Sequence, residues 1–421
     1  MSVGAATEFT ALILAAIAAE TATRLWLAGR QIEAVGARRG EIPQVFSGQI
    51  DMPAQVKAAD YTIARVRLGR WAIGAEALIK LAFSVGGGLA AVNATLRIDN
   101  LQEPWRGILV VLIVLFLLQL LGQPFAIWRT FGLEERFGFN RMTPRLYLLD
   151  FCKRQLLGLT LGGPVLLVIL LLMERGGEWW WIWASLVVSA VSVGIAWASP
   201  RFIAPLFNRF SPLADVALGQ RLEGLFDRCG FSARGVFVMD GSRRSAHGNA
   251  YFAGFGRNKM VVLFDTLLNT IDGDEIEAVL AHELGHFRLH HVLERLCASA
   301  IGTFVGFAAL NWLMHQSGLY DAVGLLKPSA PMALLMFLLI APVFTFFTTP
   351  LRSWWWRRQE WAADHYASQH ADPGNLASAL VKLYRDNAST LTPDRIYARF
   401  YDSHPTAIER IERLRAFAGR E

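Results

Sequence analysis

Apolar residues in this chain gather into long runs, not into the narrow stripes of a soluble domain. Seven runs approach the roughly 20 residues that cross a bilayer, at about 8–28, 71–93, 106–128, 156–173, 179–198, 296–315 and 331–349. They predict an all-α polytopic membrane protein with seven transmembrane helices. The first run is expected to persist as a span: it lacks a basic start, carries Glu20 and Arg24, and no clean small-residue cleavage site follows.

The pattern changes after the fifth run. Polar, amphipathic sequence fills about 199–295 and 350–421, which predicts an N-terminal transmembrane domain over 1–198 and a second domain over 199–421 containing spans six and seven. LGQRLEGLFDRCGF reads as a helix with Gly230 as its C-cap. The runs 235–241 and 260–265 are β-rich, and a small β-hairpin is expected there. Such a pair packs on the helices, or it offers an edge to an extended peptide. Helical periodicity resumes at Asp274 and is expected to run straight into span six.

Composition agrees with the membrane reading. The chain is 53% hydrophobic and 18% charged, with 14 Trp and 27 Phe, against roughly a quarter charged in soluble proteins. Its net charge of +6 does not point to nucleic acid, because the basic residues collect in alternate connections. Segments 29–70 and 129–155 carry seven and six Lys or Arg, whereas 94–105, 174–178 and 316–330 carry one each. That alternation puts the N-terminus outside or in a lumen, and the C-terminus in the cytoplasm, across a bacterial inner membrane or the ER. Cys152, Cys229 and Cys297 are too few and too far apart for a disulfide framework or a CxxC site. Glu20 with Arg24 and Glu76 with Lys80 lie four apart within spans. They read either as ion pairs near helix ends or as the lining of a wet interior.

Against this background, HELGH at 282–286 carries the chemistry. His282 and His286 lie one helical turn apart on one face, so both can bind a single tetrahedral zinc. Glu283 sits beside the first of them. Zinc lowers the pKa of a bound water toward 7, and the Glu can take its proton as the water attacks a carbonyl. Ala281 and Gly285 keep the helix surface small nearby. His290 continues the stripe, but two turns of rise put it about 12 Å from His282. It and His291 are expected to be solvated near the membrane surface.

Helix geometry suggests where a third ligand comes from. From His286 to residue 316, and from residue 331 to Glu360, the rise is about 45 Å in each case. An antiparallel hairpin of spans six and seven, kinked or not at Pro342 and Pro350, returns Glu360 to the level of the histidines. Asp364 lies on the same face as Glu360 and can act as an outer partner to a ligating His. His365 points about 100° further round and is not expected to be a ligand.

At these residues the chain closely resembles the type I CAAX prenyl proteases, a family of seven-span zinc metalloendopeptidases. LEERFGFNRMTP (133–144), APLFNRFSPL (204–213), GNAYFAGFGRNKMVVLFDTLL (248–268), HELGH, EWAAD (360–364) and SHPT (403–406) follow the family's order. The resemblance implies one zinc per chain held by His282, His286 and Glu360, with Glu283 as catalytic base. It implies catalytic roles for Asp364, as proton donor, and for His404, stabilising the oxyanion. It places Asn249, with His247 beside it, at the substrate backbone. Position 248 is Gly where the family often has Ser, so no side-chain role carries over there; no serine directly precedes Arg357 and Arg358, and neither departure touches an implied ligand. The family also encloses a large water-filled chamber, which would account for Glu76 and Lys80 at depth.

The expected function is therefore a zinc-dependent membrane endopeptidase acting near the C-terminus of prenylated CAAX proteins. Its partners would be the lipid bilayer and a peptide or lipidated protein substrate, with no nucleic acid and no obligatory protein partner. The alternatives are a membrane-protein quality-control zinc protease without prenyl specificity, or a non-catalytic scaffold or transporter. The last fits poorly, since the best polar constellation lies outside mid-span, where transport sites sit.

Overall fold

A computed structural model of the chain describes residues 3–96, 101–231, 235–254, 259–325 and 328–419. Arg97 and Lys327, which enter the orientation count, and residues 255–258 of the glycine-rich motif lie outside the described residues.

Helices α1 (Val3–Ala37), α2 (Met52–Phe83), α3 (Gly88–Thr95), α4 (Trp105–Ile127), α5 (Pro144–Leu157), α6 (Gly163–Arg175) and α7 (Trp180–Ala198) form the N-terminal part. Helix α4 runs on through a π-helical turn at Trp128–Glu134, α5 joins α6 through another at Gly158–Gly162, and α7 joins the short α8 (Ala204–Phe207) through a third. With α12 and α14 below, six helices among the described residues are long and apolar enough to cross a membrane; α2 and α3, bent by 57°, make a seventh if the pair is one span. Most of the segment expected to connect spans one and two is helix. Five of its seven basic residues stand on α1 or α2, Arg38 and Arg39 follow in the turn after α1, and Asp51 caps α2 by accepting from the Ala54 N–H at 3.0 Å.

The ionisable residues of α1 and α2 form one cluster. Lys80 Nζ lies 2.8 Å from Glu20 and 2.9 Å from Glu76, while Arg24 Nη1 lies 3.1 Å from Glu20 and 2.9 Å from Glu76. Two cations and two carboxylates thus close a ring between the helices, and each charge has two partners where bilayer water is scarce. The ring borders two cavities of about 530 and 390 Å³. Both sequence readings hold in part: the i,i+4 pairs form, and they face an interior.

Beyond α8 come strand β1 (Phe210–Pro212), α9 (Val216–Arg228), β2 (Val236–Met239), β3 (Ala250–Ala253), β4 (Met260–Phe264) and α10 (Asp265–Leu268). The sheet order is β1-β2-β4-β3. Both predicted strands form, but they pair in parallel, Val236 opposite Val261; the hairpin is made by β3 and β4, Ala250 opposite Leu263. Strand β4 has no polar alternation, and Val261, Val262 and Leu263 are fully buried. Such a strand needs a neighbour on both sides. The sequence between the two predicted strands supplies it as β3.

The rest is α11 (Gly273–Arg288), α12 (His291–Met314), α13 (Ser317–Ala322), α14 (Ala330–Thr345), α15 (Thr349–Ser368), α16 (Pro373–Asp386), α17 (Arg395–Tyr401) and α18 (Ala407–Ala418). Helix α11 does not run straight into span six. It ends at Arg288, and His290 takes the left-handed conformation at φ 61° before α12 begins. There are two main apolar cores. One joins the spans around Val111, Leu170 and Leu310; the other packs α9, the sheet, α16 and α18 around α11 through Leu222, Leu263, Leu280, Leu284 and Ile411. Each fully buried aliphatic side chain there contributes roughly 1.5–3 kcal/mol. Helix α11 is therefore anchored on several sides.

Candidate metal centre

Helix α11 starts in a capping box: Asp272 accepts from the Asp274 and Glu275 N–H groups, and Glu275 accepts from the Asp272 N–H at 3.0 Å. Glu275 also accepts from Ser378 at 2.6 Å and Lys382 at 2.7 Å, tying the helix start to α16. Glu277 is paired with both Arg221 and Arg228 of α9. One turn further on, the buried face carries His282 and His286, whose ring centroids are 4.9 Å apart.

Helix α15 crosses α11 at Gly285. A Cβ at that position would stand 3.0 Å from the Ala363 Cα and 3.2 Å from the Ala363 carbonyl oxygen. This close approach brings the Glu360 carboxylate to both rings: Oε2 is 3.4 Å from His282 Nε2, and Oε1 is 3.2 Å from His286 Nε2. Gly285→Ala should force the two backbones apart. We expect it to cost about 1–3 kcal/mol of stability, as overpacking does, and to weaken metal retention. Melting temperature and metal content of the purified variant check this, and a protein that melts and retains metal like wild type would refute it.

Behind the rings, Asp364 is fully buried. Its Oδ1 lies 2.8 Å from His282 Nδ1 and 2.5 Å from Arg410 Nη2, and its Oδ2 accepts from Arg410 Nε at 2.9 Å. Arg410 Nη2 and His282 Nδ1, 3.5 Å apart, are both donors, so this contact is two groups sharing one carboxylate. With both oxygens taken, Asp364 has the geometry of an outer partner and no open edge toward a substrate. Burial works against a charge on His282, but the bond to Asp364 and the neighbouring Glu360 outweigh it and raise its pKa to about 9. Burial likewise works against Arg410, and Asp364 more than restores its charge, holding it above the usual guanidinium range.

The donor set fits a metal ion. One nitrogen from each of His282 and His286 and one oxygen from Glu360 lie within 4.8 Å of one another, and Glu360 Oε2 is buried without a hydrogen-bond partner among the described residues. Two imidazoles and one carboxylate are a catalytic zinc set that keeps a position open. The Glu283 carboxyl has no hydrogen-bond or ion-pair partner among the described residues, and burial pushes its pKa up. It is free to exchange a proton.

The remaining expected residues divide. His404 Nε2 stands 3.5 Å from Glu360 Oε1, and its Nδ1 is 2.9 Å from Ser403 Oγ. It also lines a cavity of about 450 Å³ with Tyr384, Asp402 and Arg410. Asn249 is exposed; its side-chain oxygen accepts from the Ala250 N–H, and its side-chain NH₂ makes no bond to the described protein. His247 is engaged inside the fold. Its Nδ1 is 3.1 Å from Asn387 Oδ1, its Nε2 is 3.6 Å from Glu134, and its ring stacks on Phe139. That leaves it anchoring the loop before Asn249, with both nitrogens facing protein groups.

His290 is exposed as expected, but His291 is not solvated. It is 5% exposed, and its Nδ1 lies 2.9 Å from His286 Nδ1. The break at His290, which periodicity does not register, turns it back. Arg410 and Asn387 also escape sequence reasoning. Arg410 left a readable signal: it shares the buried stripe of α18 with Ala407, Ile411 and Leu414, where an unpaired charge would be intolerable. Nothing in the sequence around Asn387 points to His247.

Comparison with known proteins identifies the family and the fold. Residues 31–209 match the family model described as CAAX prenyl protease N-terminal, five membrane helices, and residues 212–418 match peptidase family M48. The chain is 34% identical to CAAX prenyl protease 1 of Saccharomyces cerevisiae, covering 70% of this chain and 69% of the relative. It is 30% identical to the human CAAX prenyl protease 1 homolog, covering 74% of each. The crystal structure of S. mikatae Ste24p superposes with a TM-score of 0.90 at 28% identity, over 96% of this chain and 99% of that one. The chain therefore belongs to the CAAX prenyl protease 1 family of M48 peptidases, and is a multi-pass membrane metalloendopeptidase.

Proposed function

We propose that the chain holds one zinc ion through His282, His286 and Glu360 and removes the C-terminal residues of prenylated CAAX-type proteins. The observation that carries this reading is the convergence of those three side chains within 4.8 Å, beside an unpartnered Glu283. The relatives' names supply the substrate class. When bound, zinc supplies Lewis acidity toward a water molecule and toward the scissile carbonyl.

The chain's own groups do the rest. Glu283 takes the proton from the attacking water and returns it to the leaving amine. His404, open on one side and close to Glu360, donates to the developing oxyanion. Asn249 donates its free amide N–H groups to the substrate main chain. Strand β3, at the sheet's edge, pairs with an extended peptide and fixes its register. Asp364 positions His282 and takes no part in proton transfer to substrate. We further propose that residues 1–198 embed and 199–421 cleave, with the C-terminus and the site on the cytoplasmic side.

The test measures zinc in the purified protein and compares hydrolysis of a farnesylated CAAX peptide with its unprenylated twin. We expect about one zinc per chain, loss of activity on chelation, and recovery when zinc is returned. Equal cleavage of both peptides would favour a quality-control protease without prenyl specificity. Zinc-free wild type that still cleaves would sink the mechanism. Protease accessibility of a C-terminal tag in sealed vesicles checks the orientation.

A further inference from the structure

We infer that His291 is a positioning residue for the metal centre: a neutral imidazole that accepts the Nδ1–H of His286 and so fixes that ring's tautomer and aim. The inference rests on the proposed role of His286 as a ligand.

The argument starts from two ring nitrogens, His286 Nδ1 and His291 Nδ1, facing each other at 2.9 Å. At that distance one donates and the other accepts. The far nitrogen of His286, Nε2, is turned to Glu360 at 3.2 Å and needs its lone pair to hold a metal. A neutral imidazole carries one proton, so the proton of His286 resides on Nδ1, and His286 is the donor. His291 must then present a bare Nδ1 and keep its own proton on Nε2. One contact thus specifies both tautomers.

The backbone is built to make this contact. Five residues along an unbroken helix, His291 would stand about 7.5 Å above His286 and about 140° around the axis. The chain avoids this by ending α11 and placing His290 at φ 61°, a conformation that costs any residue with a Cβ. His291 emerges as the first residue of α12, buried, with its ring centroid 5.1 Å from that of His286 and the planes inclined by 67°. A span that simply continued α11 would have left His286 without an acceptor.

The two histidines of the centre are consequently backed by different groups. His282 donates to Asp364, an anion held by Arg410. His286 donates to a neutral ring. A carboxylate behind a ligating imidazole raises its basicity, while a neutral acceptor orients it and adds no charge. Glu360 already brings one negative charge to the site, so a neutral acceptor at 291 keeps a second full carboxylate away from the His286 side.

The test uses the full-length protein in detergent with His291→Leu, which removes the acceptor, and His291→Gln, which restores one. Zinc affinity is read by chelator competition, the cobalt(II)-substituted centre by its visible absorption, and peptide hydrolysis by kcat and KM separately. We expect His291→Leu to bind zinc 10- to 100-fold more weakly, to change the cobalt spectrum, and to lower kcat with KM little changed. His291→Gln should recover most of each. Wild-type affinity and spectrum in His291→Leu, with zinc present in wild type, would overturn the inference and leave the metal centre standing. Zinc-free wild type would overturn both. Should His291→Leu not fold, His291→Gln decides alone: near-wild-type affinity and spectrum are expected, and a loss as great as that from His286→Ala overturns the inference.

Discussion

Glu283→Gln is expected to keep its zinc and lose peptide hydrolysis by about 10²–10⁴-fold, the usual contribution of a positioned general base. The substitution is nearly isosteric. Glu283 makes no bond to the described protein that its loss would break, and the proposed metal donors are His282, His286 and Glu360. A glutamine amide still fits beside His282 but cannot take a proton from water. Burial raises the pKa of the Glu283 carboxyl, moving it toward the operating pH, where a general base is most effective. The expected signature is a fall in kcat with metal content and KM retained. Activity within tenfold of wild type would remove Glu283 from the mechanism, and loss of zinc would assign it to the centre's framework.

Replacing Arg410 should do damage of another kind. Arg410 and Asp364 are both buried, joined by two hydrogen bonds, and Asp364 in turn holds His282. In Arg410→Leu the buried carboxylate keeps its charge and loses both hydrogen bonds from the guanidinium, which costs about 3–5 kcal/mol for a buried pair broken on one side. Zinc affinity should fall about 10- to 100-fold as well, because the support behind His282 loosens. Arg410→Lys should recover only part, since an ammonium cannot reproduce the two-pronged contact. Adding Asp364→Asn to Arg410→Leu should restore stability by removing the stranded charge, though not zinc affinity. Unfolding of each variant in detergent and chelator competition measure the two effects. An Arg410→Leu protein as stable as wild type would contradict the pairing.

These two residues also mark the limit of sequence reasoning. Glu283 was legible because its neighbours are four apart, and a helix turns that spacing into one face. Glu360 was legible for a related reason: two apolar runs of similar length, folded back on one another, return the chain to its starting level. Arg410 was not, although its place on the apolar stripe of α18 is a signal. Its meaning depends on Asp364, 46 residues earlier on another helix, and no local pattern relates the two.

The strands show the same division. Both β-rich runs were readable from their β-branched content, but their parallel pairing follows from β3 occupying the antiparallel side of β4. The ring of Glu20, Arg24, Glu76 and Lys80 was visible as two helical pairs and became one cluster only when α1 and α2 packed together. Likewise the left-handed turn at His290, which decides whether His291 is solvated or buried, leaves no trace in the periodicity.

By itself, then, the sequence determined what repeats along a single element: which runs are long enough to span a membrane, which helix carries the His pair and base, and the level to which Glu360 returns. Tertiary structure decided what lies behind those groups. It put Asp364 and Arg410 behind His282 and His291 behind His286, engaged His247 within the fold, and let Gly285 bring two helices together. The physical reason is range. Spacing and hydrophobic period act through a few bonds of one chain segment, whereas a hydrogen-bond partner is chosen by packing between segments far apart in sequence.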